Sequence, residues 1–482
     1  MKESLRVPRL VIAAQKGGAG KTLFTLGLIR ILTRRGLRVA PFKKGPDYID
    51  AGWLSRVAGL PCRNLDPFLM SPEQILKVFR RGIAGADVAV VEGNRGLFDG
   101  VDLEGSCSTA RLARLLRAPV ILLLDCTKVT RSLAALVRGF QAFEEGVEIR
   151  GVILNRVARP RHENIITRSI EHYTGVRVLG SLPRIRFPFP ERHLGLVPWQ
   201  EYQATEEFLE VLEGVFLEHL DSDPLIEIAR QAPEIKLPEE ERDLPSILSG
   251  VRIGVIRDRA FQFYYPENLE ILEALGAKLI FLDALRDPRL PSLEALYIGG
   301  GFPETQAEAL GENRSFLQDV REAGEGGLPI YAECGGLIYL GQTVSWKGRT
   351  YPLCGLLPLD FEIKPHPVGH GYTVVRVKEE NPFYPAGTVL QGHEFHYSLP
   401  RLREGRELRL VLEVERGFGF DGKRDGAVYK RVFGTYTHLH AASTFLWVEG
   451  MLRAIHGEEV VLKGWKPSPS PEGWADPMPK TK

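Results

Sequence analysis

The chain has 482 residues, a length that suggests two to four domains at roughly 150 residues each, and its 62 basic and 61 acidic residues leave a net charge of +1. That balance offers no global field for nucleic acid or an anionic membrane, so a small anionic substrate has to be held by local groups. The cysteines (Cys62, Cys107, Cys126, Cys334 and Cys354) are odd in number, scattered and without a CxxC pair, which argues against a disulfide framework or structural zinc and points to a reducing cytoplasm.

The opening MKESLRVPRLVIAAQ has too short an apolar run for a signal peptide. No stretch approaches the roughly 20 apolar residues of a membrane helix. Leu10–Ala14 reads as a strand, Gly17–Gly20 as a glycine turn, and Lys21–Arg35 has helical spacing. Val39–Lys43, Val88–Val91, Val120–Asp125 and Gly151–Asn155 are further apolar runs. Apolar strands separated by helices predict an α/β fold with a parallel sheet covered on both faces. Residues 221–249, rich in Pro and acidic residues, read as a linker with one short helix. The rhythm restarts at Val251–Ile256, with a helix over Asn268–Leu275 and strands at Lys278–Leu282, Ala295–Ile298 and Pro329–Ala332. The last third, with short apolar runs among Gly and Pro, predicts more antiparallel strand. A Pro-rich tail over 461–482 is expected to be disordered.

The run Lys16-Gly17-Gly18-Ala19-Gly20-Lys21-Thr22 follows a predicted strand and opens a predicted helix, the context a phosphate-binding loop requires. Glycines let successive N–H groups face a phosphate, and the helix N-terminus adds partial positive charge. Lys21 would reach the β- and γ-phosphates of ATP, and the Thr22 hydroxyl would bind Mg²⁺. The commoner pattern would place a glycine where Gln15 stands, and Lys16 is an extra lysine. Asp47 and Asp50 follow the second strand, where Pro46 equally favours a simple turn, and Glu92 ends the third. Carboxylates at such strand ends commonly hold Mg²⁺ or its water, so Thr22, Asp47 and Glu92 are the candidate metal set.

Cys334, in Tyr331-Ala332-Glu333-Cys334-Gly335-Gly336, lies between an apolar run and a predicted helix. A sharp strand-to-helix turn exposes a nucleophile, and a helix N-terminus lowers a thiol pKa. Gly299-Gly300-Gly301 ends another strand, and the N–H groups of Gly300 and Gly301 suit an oxyanion hole. His438 and His440 are the candidate bases.

These residues resemble a known family. AECGG at Cys334, IGGGFPE and the late histidine look like a class I, flavodoxin-like glutamine amidotransferase domain, and the N-terminal half looks like the dethiobiotin-synthetase branch of P-loop proteins. Fused in this order they resemble the cobyrinic acid a,c-diamide synthase family, with FKKGPDYID, VEGNRGLFDG, GVILNRV and GHEFHYS in support. The resemblance implies an ATP-binding synthetase domain over 1–220 and an amidotransferase domain over 250–460. It implies a cytoplasmic, ATP- and Mg²⁺-dependent ligase of cobalamin biosynthesis. Glutamine would be hydrolysed through a thioester at Cys334 with His438 as base, and the ammonia would amidate the a- and c-acetates of cobyrinic acid through acyl phosphates. It assigns Asp47, Asp50 and Glu92 to the synthetase site and makes Asn155 an adenine contact. The position two after His438 is His440 rather than an acid, which implies a Cys–His dyad. His440, and His393 and His396 in HEFHYS, are read as structural.

Asn94-Arg95 and Lys44 depart from the family's usual wording and leave the macrocycle open among cobyrinic acid, sirohydrochlorin, its nickel complex and sirohaem, all polycarboxylate tetrapyrroles. Lys16 resembles the signature lysine of the MinD/ParA branch, which leaves open a homodimer and a regulatory ATPase as an alternative of another class.

Overall fold

The computed structural model describes residues 2–185, 191–192, 195–239, 244–404 and 408–457. They form two compact units, one carrying the described residues through 239 and the other those from 244. The tail predicted over 461–482 lies outside the described residues. Among the described residues no helix is long and apolar enough to cross a membrane.

The first unit is built on a seven-stranded sheet. Its strands are β1 (Arg9–Ala14), β2 (Val39–Lys44), β3 (Arg63–Leu65), β4 (Val88–Glu92), β5 (Val120–Asp125), β6 (Ile149–Val157) and β7 (Val178–Pro183). Their spatial order is β3-β2-β4-β1-β5-β6-β7, and every pairing is parallel. All six residues of β1 are buried, as a strand covered on both faces requires. Helix α1 (Lys21–Arg34) packs on one face, and the helix Thr205–His219 packs on α1, with Phe24 and Phe216 ring centroids 5.7 Å apart. Gly27 makes that approach possible, since a Cβ there would lie 2.3 Å from Phe216. The carboxyl ends of β1, β2, β4, β5 and β6 therefore sit side by side, where parallel sheets place ligands.

Part of the segment read as a linker is ordered. Asp223–Arg230 is a helix, and Ile235–Pro238 is a strand paired antiparallel with Lys2–Leu5. The fully buried Arg9 donates to the carbonyls of Val7, Leu116, Arg117 and Pro233. That set of acceptors pins the segment to the foot of β1.

The second unit has a nine-stranded sheet. Its strands are β8 (Arg252–Ile256), β9 (Lys278–Leu282), β10 (Ala295–Ile298), β11 (Ile330–Glu333), β12 (Gly369–Val377), β13 (Val389–His396), β14 (Arg409–Arg416), β15 (Arg424–Tyr429) and β16 (Val432–Thr435). The order is β9-β8-β10-β11-β16-β15-β14-β12-β13. The first five strands in that order run parallel, and the remainder is antiparallel, as the last third of the sequence predicts. A separate four-stranded sheet is formed by 343–346, 349–352, 359–363 and 398–402.

Candidate functional sites

In the first unit, Gln15–Gly20 curls between β1 and α1. Gly20 caps the helix at φ 95°, a left-handed conformation that glycine adopts freely. A Cβ there would also strike Asn155 Nδ2 at 2.5 Å. Asn155, at the end of β6, donates from Nδ2 to Ala19 O at 2.8 Å and accepts from the Arg156 N–H at Oδ1. This geometry braces the loop from the strand on which resemblance placed an adenine contact. Lys21 Nζ donates to Arg95 O at 2.5 Å and lies 3.5 Å from Lys16 O. Burial and the nearby Lys43 lower its pKa to about 8. The exposed Lys16 pairs with Asp125 of its own chain at 3.5 Å, and Arg156 reaches the same oxygen at 2.8 Å.

The Thr22 hydroxyl lies 2.8 Å from Glu92 Oε1 and 3.1 Å from Asp50 Oδ2. Lys43 Nζ donates to those same two oxygens, at 2.6 Å each. Glu92 is fully buried rather than a solvated strand end. The fold explains the cluster: β2 and β4 are neighbours with Lys43 opposite Glu92, and α2 (Tyr48–Ala58) brings Asp50 over them. Asp47 does something else: its Oδ1 accepts from the Asp50 N–H and caps α2. Of the residues expected to hold a metal, Thr22 and Glu92 meet directly, joined by Asp50, while Asp47 caps the helix beside them. Glu92 Oε2 has no hydrogen-bond partner although it is buried, and an all-oxygen set of two carboxylates and a hydroxyl suits a hard cation such as Mg²⁺. Burial raises the Glu92 pKa, and burial with the Asp50 charge pushes Asp47 up to about 7. Burial opposes ionisation of Asp50 too, but the Lys43 ammonium and the Thr22 hydroxyl outweigh it and hold that carboxyl below its usual range.

Lys43 is a site residue that the sequence reading missed. The doubled lysine of FKKGPDYID is visible, but only strand register shows which of the two faces the acids. Lys44 is buried as well, and burial lowers its pKa despite the nearby Asp66. Arg95 is exposed at φ 50° in the loop whose carbonyl holds Lys21.

In the second unit, Cys334 joins β11 to α3 (Gly335–Leu340) at φ 47°, ψ −95°. A non-glycine residue held at positive φ between strand and helix is the geometry of a nucleophile elbow. Gly335 and Gly336 make it possible: Cβ atoms there would lie 2.8 Å from Gly301 N and 2.4 Å from Ile298 O. Gly301 N thus lies beside the residue that follows the cysteine. Cys334 Sγ–H points to Phe395 O at 3.7 Å. The expected lowering of the thiol pKa is not found. Burial raises it and the Glu304 charge adds to that, against an opposing hydrogen bond from Gly335. A helix of six residues buried at its start supplies too little field to reverse this.

His438 follows β16, and its ring lies over Gly300, where a Cβ would meet Cε1 at 2.5 Å and Nε2 at 3.2 Å. The other ring nitrogen, Nδ1, lies 3.0 Å from Glu333 Oε2. Sequence alone does not pair Glu333 with His438, because it lies 105 positions from it along the chain. His393 stacks on His438 at 5.0 Å between centroids, and its Nδ1 meets the Tyr265 hydroxyl at 3.2 Å. Burial and then His438 hold the His393 pKa well below its usual value. His396 stacks on Tyr436 at 3.7 Å and faces Glu394, while His440 faces Glu267 at 3.4 Å. No cluster of three or more His, Cys, Asp or Glu suited to a metal ion occurs among the described residues, so HEFHYS is not part of such a cluster.

Residues 10–192 match the CobQ/CobB/MinD/ParA nucleotide binding domain family, and residues 252–445 match the CobB/CobQ-like glutamine amidotransferase domain family. The chain is 44% identical over 455 residues to a protein of Magnetococcus marinus named cobyrinate a,c-diamide synthase, covering 93% of this chain and 97% of that one. A protein of the same name from Archaeoglobus fulgidus is 40% identical over 91% of this chain and 95% of its own. One from Listeria monocytogenes is 38% identical over 93% and 99%.

Proposed function

The chain belongs to the cobyrinate a,c-diamide synthase family, and from that premise we propose that it uses ATP and glutamine to amidate the a- and c-acetate carboxylates of cobyrinic acid. One observation carries the reading. A phosphate loop whose threonine meets two carboxylates, and a positive-φ cysteine on a strand-to-helix turn with a histidine packed over the glycine strand beside that turn, are both present in one chain.

In the first unit the loop N–H groups and Lys21 bind the ATP phosphates. Thr22, Asp50 and Glu92 would hold Mg²⁺, which when bound offsets the charge on the transferring phosphoryl group. Lys43 holds Asp50 and Glu92 in place and opposes the effect of burial on their charge. A substrate carboxylate oxygen attacks the γ-phosphorus and ADP leaves. The step is needed because a carboxylate repels nucleophiles and offers only a poor oxide leaving group. Ammonia then attacks the acyl carbon, and phosphate departs.

In the second unit His438 takes the Cys334 proton. The thiolate attacks the side-chain amide carbon of glutamine while Gly300 and Gly301 N–H groups receive the oxyanion. Ammonia leaves with a proton from His438, and water cleaves the thioester. A buried, neutral thiol suits this sequence, because the charge forms only with substrate in place.

The test is mass spectrometry of products from cobyrinic acid, sirohydrochlorin, nickel-sirohydrochlorin and sirohaem, each with ATP and glutamine. A diamide of cobyrinic acid, two nitrogens added, is expected. A diamide of a sirohydrochlorin-type ring alone moves the substrate but keeps the reaction. No amide on any of them, with ATP-dependent dimerisation instead, replaces the ligase with a regulatory ATPase.

A further inference from the structure

Under the glutaminase reading His438 has a nucleophile to activate, and the sequence offers it no acid at the expected place. The fold brings one from elsewhere. Glu333, the last residue of β11 and the neighbour of Cys334, is fully buried, with Oε2 3.0 Å from His438 Nδ1. The Tyr297 hydroxyl, from β10, lies 3.5 Å from that same oxygen. The other ionisable ring packed on His438 is His393 of β13. Gly300 closes the Cε1–Nε2 edge. The ring is therefore oriented with Nδ1 toward the carboxylate and Nε2 toward the glycine strand beside the cysteine turn. His440, which occupies the usual place of the acid, instead faces Glu267 and stacks on Tyr265 at 4.2 Å.

We propose that Glu333 is the positioning acid of a Cys334–His438–Glu333 relay in which nucleophile and acid are consecutive residues. The proposal rests on the glutaminase reading. On a regular strand successive side chains point to opposite faces. The turn at Cys334, at φ 47°, breaks that alternation and lets both neighbours serve one imidazole. Glu333 accepts from Nδ1–H, which leaves the Nε2 lone pair for the thiol proton. It stays ionised while the imidazolium exists, and the proton passes from Nε2 to the departing ammonia. Burying a carboxylate is costly unless a partner repays it, and of the hydrogen-bonding side chains His438 and Tyr297, His438 is the one that can bear a positive charge.

The decisive experiment measures glutamine hydrolysis by the full chain carrying Glu333→Gln, which keeps the size and an acceptor but removes the charge. A fall in kcat of at least ~10²-fold is expected, against the roughly 10⁴-fold cost of neutralising the acid of a serine triad. KM should change less than about 3-fold, and the acid limb of the kcat/KM profile should move to lower pH, since loss of an adjacent anion disfavours protonation nearby. Glu333→Asp should restore the limb and part of kcat. Wild-type kcat and an unmoved limb in Glu333→Gln would overturn the proposal. Should that variant fail to fold by circular dichroism, Glu333→Asp decides: reduced kcat with an unmoved limb supports the role, and wild-type kcat defeats it. Failure of the glutaminase reading looks different, because the parent chain itself would then show no glutamine hydrolysis, or would show one that Cys334→Ala leaves intact.

Discussion

At the carboxyl edge of the first sheet, Asp50 and Glu92 meet one threonine and share one lysine, Lys43, with Lys21 and Asp47 close enough to feel their charges. Near Cys334 in the second unit the buried carboxylates Glu304, Glu333 and Glu394 are accompanied by histidine rings rather than by lysines, with Glu333 bonded to His438. The difference follows from what each site has to do. A polyphosphate arrives charged, so its site needs permanent charges arranged beforehand, and these must balance one another while it is absent. The side-chain amide of glutamine that reacts is uncharged, so the groups that act on it become charged only during reaction.

The sharpest way to break this comparison is to remove the nucleophile. Cys334→Ala should abolish glutamine-dependent amidation, while high ammonia concentrations still support it at the other site. Product formation with each nitrogen source measures this, and loss of both would make Cys334 a structural residue. Next in size is Lys21→Ala. Amidation from either nitrogen source should fall by roughly 10²–10³-fold, the scale of losing one preorganised charge contact in a transition state, while glutamine hydrolysis remains measurable. Normal ATP turnover in that variant would remove the phosphate-loop assignment.

The two sites are unequally legible in the sequence. The phosphate loop is local: its residues are consecutive, and strand, turn and helix signals surround them. The parallel sheet and its edge are readable for the same reason. Strand register is not, so the sequence conceals Lys43 and does not tell Asp47 from Asp50 as the acid beside Thr22. Cys334 is legible from its glycines, but Glu333 is hidden by the expectation that the acid follows the histidine. Its role depends on β11 and β16 lying side by side with Glu333 opposite Thr435. The short helix expected within 221–249 is found at Asp223–Arg230, but strand Ile235–Pro238 is masked by composition, since prolines and acids conceal a strand whose pairing partner is the chain's own beginning.

Gly300→Ala probes the glycine strand with a smaller effect. Its Cβ would lie 2.5 Å from His438 Cε1, closer than packed atoms tolerate. The ring has to shift, and displacement of a catalytic group by about 1 Å costs on the order of 10²-fold in rate. Glutamine hydrolysis should fall by about that factor, with about 1–3 kcal/mol lost in an unfolding measurement from overpacking. Unchanged hydrolysis would mean that the ring does not need its place over Gly300.

Asp47→Asn is the gentlest change and tests the compensation among the acids. Burial and the Asp50 charge push Asp47 from an ordinary 3.8 up to about 7 in the folded chain. Between those values the folded state holds a proton that the unfolded state has released. The stability from this group is therefore fully present below about pH 4 and is lost as the pH rises through about 7. The amide oxygen of the substituted side chain would still accept from the Asp50 N–H and cap α2, so the helix should be kept. Unfolding midpoints measured at pH 5 and pH 7 should consequently differ less in the variant than in the parent. The shift at Asp50 runs the other way and acts below its usual range, outside this window. An unchanged difference between the two pH values would assign the slope to another group and leave Asp47 as a helix cap alone.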